Sequence, residues 1–193
     1  MRRFIFLTMV GLVIVFASAT AQQSTAAQGA DVPSKNLIAN GGFEEGKDPG
    51  GFSTEGKDSK NIAHWTITMG TVDYIGTYFP CHGGKRCIDM DGTPGPGRIQ
   101  QTFSTTPDVT YHVTFAVGAN REGPPNVKKL QVSAAGKSKT FSFDGTKNKG
   151  WSVYHWDFAA KSKQTTLTFT SLSQKGNNCG ALLDDVSVVM VEK

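Results

Sequence analysis

The chain has 193 residues, 20 of them Lys or Arg and 16 Asp or Glu, for a formal net charge of +4. Charged residues make up only 19%, which excludes a charge-rich disordered chain, and the longest basic clusters are pairs such as Lys128-Lys129, too short to hold a nucleic acid. At this length one core buries most of the unfolded surface, so the three cysteines are not needed as the scaffold of the fold.

Arg2 and Arg3 precede an apolar run over residues 4–16, and small residues follow to Ala19-Thr20-Ala21. That order predicts a secretory signal peptide over residues 1–21, with a secreted mature protein beginning near Gln22. The run is shorter than the roughly 20 apolar residues a membrane-spanning helix needs. Removing it leaves 18 basic against 16 acidic side chains. Residues 22–35 are small, polar and without periodicity, and read as a disordered linker.

From Asn36 to Lys193 turn residues recur about every ten positions, which predicts a single β domain. Period-two alternation is clearest in three segments: Ile99, Gln101 and Phe103; Tyr111, Val113, Phe115 and Val117; Leu167 and Phe169. Strands are predicted over residues 36–44, 63–69, 71–75, 85–91, 98–103, 111–117, 128–133, 139–143, 151–158, 165–170 and 182–190. No ten-residue segment has an amphipathic helical pattern. The pattern predicts an all-β fold, a β-sandwich of jelly-roll topology, with the Gly-rich segments 46–60 and 120–127 as loops at its ends.

No GxSxG, HExxH, CxxC or phosphate-loop motif occurs, and His64, His82, His112 and His155 have no metal-ligand spacing. Cys81 and Cys87 flank His82-Gly83-Gly84-Lys85-Arg86, whose glycines let a hairpin close, so a Cys81–Cys87 bridge is expected. Parity alone equally allows Cys179 to pair with either. In the last strand Asp184 shares the phase of Leu182, Val186 and Val188, which points it inward, where a carboxylate needs a partner. Glu44 follows Phe43 in the first strand, and first and last strands of a sandwich are commonly neighbours. The two carboxylates could therefore share an oxygen-only calcium cage, or Asp184 could cap amides of the loop before its strand.

The ordered set NLIANGGFEEG, VDYIGTY, GKRCIDMDGTPGPGRIQQTF and GALLDDVSV resembles the domain-of-unknown-function 642 family, which comprises secreted plant cell-wall proteins and bacterial choice-of-anchor C proteins. More distantly the end motifs look like galactose-binding-type domains and carbohydrate-binding modules. That resemblance implies a galactose-binding-like jelly roll with a structural calcium held by Glu44 and Asp184.

A sugar is recognised by rings stacked on its apolar face and planar polar groups on its hydroxyls. Trp65, Tyr74, Tyr78, Phe79 and Trp151 are the ring candidates, with Tyr74, Tyr78 and Phe79 at the rim of a Gly-rich loop and the tryptophans open to the other reading as core rings. Asp89 and Asp91, with Arg98 and Gln100 on the next predicted strand, fall in the phase away from the core and would form a polar platform. The expected function is non-catalytic binding of an extracellular or cell-wall polysaccharide. Two rivals are a surface that binds another extracellular protein, and a small glycoside hydrolase using Asp89 and Asp91. Residues two apart on a strand stand about 6.5–7 Å apart, within the range of an inverting carboxylate pair.

Overall fold

The computed structural model describes residues 35–191. The predicted signal peptide and all of the linker except Lys35 lie outside the described residues. Eleven strands follow in chain order: β1 (Phe52–Gly56), β2 (Thr66–Met69), β3 (Thr71–Ile75), β4 (Cys87–Asp89), β5 (Arg98–Ser104), β6 (Thr110–Ala119), β7 (Val127–Ala134), β8 (Lys137–Asp144), β9 (Ser152–Ala159), β10 (Gln164–Ser171) and β11 (Ala181–Met190). They form two antiparallel sheets, one ordered β1-β3-β4-β11-β6-β9 and the other β2-β5-β10-β7-β8. The domain is all-β, a sandwich of the jelly-roll kind.

Alternation builds the core. Ile99 and Phe103 of β5, Leu167 and Phe169 of β10, and Leu130 and Val132 of β7 point inward from the five-stranded sheet. They meet Val72 and Tyr74 of β3, Ile88 of β4, Val113, Phe115 and Val117 of β6, and Val188 of β11. Phe115 lies edge-on to Phe169 and Phe141, with centroids 5.3 and 5.0 Å apart, which knits the two layers together.

Three expectations are corrected. Residues 36–44 form no strand: Asn40 and Phe43 take positive φ and the chain turns. The segment still lies along β11, because the Leu37 amide donates to the Val188 carbonyl (2.8 Å) and the Val186 amide to the Gly41 carbonyl (2.9 Å). Gly41 is required there, since a Cβ would collide with the Val186 carbonyl. Second, β1 lies inside the segment expected to be loop. Its register places Ser53 opposite Tyr74 and Glu55 opposite Val72, so its inward side chains are polar and leave no apolar alternation to read.

Third, β11 carries a bulge between Asp184 and Ser187, with Asp185 at φ 47°. The extra residue changes the facing halfway along the strand. Ala181 and Leu183, then Val186 and Val188, point into the core. Leu182 and Asp184 therefore face the opposite side, yet both are buried, beneath loops that cross the outer face of the six-stranded sheet.

Candidate functional site

The loop between β3 and β4, residues 76–86, folds over that outer face. The predicted Cys81–Cys87 bridge is present and spans 5.6 Å between Cα atoms, while Cys179 is a buried free thiol. Two carboxylates fasten the loop, one exposed and one buried. Glu44 Oε1 accepts the amides of Lys85 (2.7 Å) and Arg86 (2.9 Å). Asp184 Oδ2 accepts those of His82 (2.9 Å) and Gly83 (3.0 Å), and its Oδ1 takes the Asp185 amide (2.7 Å). His82 Nδ1 lies 2.6 Å from Asp185 Oδ2. Gly83 and Gly84 fit only as glycine: a Cβ on Gly83 would meet the Asp185 carboxylate at 2.7 Å, and one on Gly84 would strike Glu44. Burial pushes the Asp184 carboxyl up to about 7 despite these amide donors.

The residues do not fit the calcium expected at Glu44 and Asp184. A calcium ion needs six to eight oxygens around it, whereas these carboxylates converge on the N–H groups of one loop. They do share a structural task, but the loop is what they hold.

Beside this loop opens a cavity of about 550 Å³. Leu182, Gly118, Trp151 and Phe79 supply its apolar wall, and Arg121, Glu122 and Lys149 its charged rim. Trp151, half-buried, lies directly over Gly118 of β6, where a Cβ would stand 3.1 Å from the ring. The His82 ring meets Trp151 edge-on at 5.8 Å. On the loop side Tyr78 packs edge-on against Phe79 (4.7 Å) and Phe52 (5.1 Å). The Tyr78 hydroxyl contacts both oxygens of Glu122 (3.1 and 3.0 Å), and that acceptor raises the phenol's pKa. A cavity lined by rings with charged groups at its rim can grip a ligand that is apolar on one face and hydroxylated at its edges.

The predicted polar platform is not assembled. Asp89 and Asp91 belong to the six-stranded sheet and the turn that follows it, Arg98 and Gln100 to the other sheet. Both aspartates are fully buried. Asp89 accepts the amides of Asp91 and Gly180 (both 2.9 Å) and the Asn120 side-chain amide (2.8 Å), and burial pushes its carboxyl up to about 7. Asp91 accepts from the Asn177 amide (2.9 Å) and leaves Oδ1 without a partner. Alternation put these side chains away from the core, but loops seal that face, so neither can reach a substrate and the glycosidase pair is lost. Tyr74 is likewise fully buried, its hydroxyl donating to the Phe43 carbonyl (2.6 Å), and cannot stack on a sugar.

Arg98 and Gln100 lie half-buried on the outer face of the five-stranded sheet, where Arg98 Nε donates to the Thr170 hydroxyl (3.1 Å). That face is set with Thr, Ser, Gln and basic side chains and offers no ring. Of the expected rings, Phe79 and Trp151 line the cavity and Tyr78 borders it, whereas Trp65 is buried in the core. Trp151 was a ring candidate, but Arg121, Glu122 and Lys149 beside it were missed, because only the pairing of β6 with β9 brings residues 118–122 beside 149–151.

The fold is a jelly roll similar to those of carbohydrate-binding modules. The CBM22-1 xylan-binding domain from Paenibacillus barcinonensis superposes with a TM-score of 0.55 at 14% identity, covering 83% of this chain and 97% of that one. TmCBM61, solved with β-1,4-galactotriose, superposes with a TM-score of 0.50 at 17% identity, covering 82% and 100%. The chain itself belongs to the DUF642 family of proteins of unknown function, whose profile matches residues 36–189. The Arabidopsis thaliana protein DUF642 L-galactono-1,4-lactone-responsive gene 1 is 32% identical over 177 residues, 82% of this chain and 47% of the relative. Halomucin of Haloquadratum walsbyi is 28% identical over 192 residues, 96% of this chain and 2% of that protein. The chain thus spans about half the length of the plant relative and a small fraction of halomucin.

Proposed function

We propose that this domain is an extracellular, non-catalytic glycan-binding module whose site is the cavity beside Trp151. The observation that carries the reading is the Trp151 ring laid on the bare backbone of Gly118, in a cavity it shares with Phe79, Arg121, Glu122 and Lys149. An indole packed on main chain is a rigid platform, so stacking a pyranose on it costs little side-chain entropy. The rim groups then hydrogen-bond hydroxyls and set which sugar fits. That the two structural relatives bind a xylan and a galactan oligosaccharide supports a polysaccharide ligand. The leader-like order of residues 1–21 and the Cys81–Cys87 bridge support an oxidising, extracellular setting.

The test is a binding isotherm of the purified chain on a panel of soluble and insoluble polysaccharides, with reducing-sugar release measured in the same tubes. The expected result is saturable binding to at least one glycan without sugar release. Trp151→Ala should weaken that binding at least tenfold with the fold intact by circular dichroism. Binding that survives Trp151→Ala moves the site elsewhere, and sugar release makes the chain an enzyme. Failure on every glycan, with capture of a cell-wall protein instead, turns the reading to protein recognition.

A further inference from the structure

The four histidines are far apart in sequence, but antiparallel pairing of β6 with β9 brings two of them together on the outer face of the six-stranded sheet. His112 stands opposite Asp157 and Thr114 opposite His155, which makes His112 and His155 diagonal neighbours. His112 Nε2 lies 3.2 Å from His155 Nδ1. On its other side His112 Nδ1 lies 2.5 Å from Asp157 Oδ1, and Thr114 Oγ1 stands 3.3 Å from His155 Nδ1. Across the neighbouring strand β11, Val189 and Ser187 face the pair without charge. The His112 side chain keeps 37% of its surface exposed and Asp157 58%, so the group opens to solvent.

We infer that His112 and His155 form a site for one borderline transition-metal ion, Cu²⁺, Ni²⁺ or Zn²⁺, with Asp157 orienting His112. Two imidazole nitrogens that ligate one ion at about 2.0–2.1 Å stand about 2.9–3.4 Å apart, depending on the angle at the metal. The observed separation falls inside that interval. The nitrogens now face each other, with ring centroids 5.2 Å apart and planes inclined by 20°, so one shared proton joins them. An ion would displace that proton and sit about 1.3 Å off the line between the nitrogens, which the exposed rings reach by turning about their side-chain bonds.

Asp157 occupies the place of a carboxylate behind a metal-bound histidine: it holds Nδ1 as the donor and leaves Nε2 as the ligand. Among the described residues no three or more His, Cys, Asp or Glu converge on one point. The two imidazoles are therefore the whole protein-donated set, with water completing the coordination. This site is distinct from the Trp151 cavity and does not depend on it.

Calorimetric titration of the full, tag-free chain with Cu²⁺, Ni²⁺ and Zn²⁺ salts tests the inference. One ion per chain should bind, tightest for Cu²⁺, while Mg²⁺ and Ca²⁺, which prefer oxygen, give no such isotherm. His112→Asn and His155→Asn should each weaken Cu²⁺ at least tenfold. Asp157→Asn should weaken it by about 10–100-fold while keeping one ion per chain. His64→Asn, on a distant loop, should change nothing. All four positions are at the surface, and melting curves check that the variants fold. No binding of Cu²⁺, or binding unaffected by replacing both His112 and His155, would overturn the inference and leave a proton-sharing pair.

Discussion

Asp89 and Asp184 are buried for opposite purposes, one sealing the loops at Asn120 and Gly180, the other tethering the loop at His82 and Gly83. Burial raises both from an ordinary 3.8 to about 7, and it raises Asp73 in the same direction. The folded state therefore holds these protons more tightly than the unfolded chain does. Their stabilising contribution is complete below about pH 4 and is lost as pH climbs through 7. Glu55 and Asp144 shift downward, so their contribution disappears only on further acidification. The melting midpoint should be highest near pH 4–5 and fall steadily toward pH 8. Asp89→Asn should flatten that slope. Calorimetric scans across the range decide it, and a midpoint that climbs from pH 5 to 7 would contradict the burial account.

At the scale of elements, the β3–β4 loop carries Phe79 and Tyr78 to the cavity and is held by one covalent link and two carboxylates. Closing so short a loop contributes about 2–3 kcal/mol, which for a domain of this size is about 5–10 °C in melting temperature. The double variant Cys81→Ser, Cys87→Ser should lose that much. It should also lose glycan affinity disproportionately, since Phe79 and Tyr78 ride on the freed loop; equal affinity in both proteins would show that the rings hold their place without the bridge. The strands with apolar alternation, β5, β6 and β10, were legible in the sequence because large apolar side chains such as Ile99 and Phe103, Val113 and Phe115, and Leu167 and Phe169 dominate their inward positions. β1 was not, as Ser53 and Glu55 hide its inward face, and the bulge at Asp185 inverted the facing assigned to Asp184. The chain's rings could be read as candidates, but not that Tyr74 is sealed in the core while Trp151 lines a cavity. That difference depends on which loops cover the outer face, and a loop's path is set by pairings such as Glu44 with the Lys85 and Arg86 amides, remote in sequence.

For the molecule as a whole, the opening segment is joined to β11 by main chain and one side chain. Leu37 and Val186 supply amides, and Asn36 Oδ1 accepts the Val188 amide at 2.9 Å. These bonds fasten first segment to last directly. The melting midpoint should therefore be the same with calcium and with chelator, and a fall of several degrees on chelation would restore calcium as the staple.

The bond between Leu37 and Val188 also means that the domain is entered and left at neighbouring points. A lobe with adjoining ends can be spliced into a longer polypeptide as a pendant bead, without prising the host apart. Strung in series, such beads would present the same cavity again and again along one thread. On a repetitive polymer each engaged bead raises the local concentration of the next, and many weak grips sum to a durable hold.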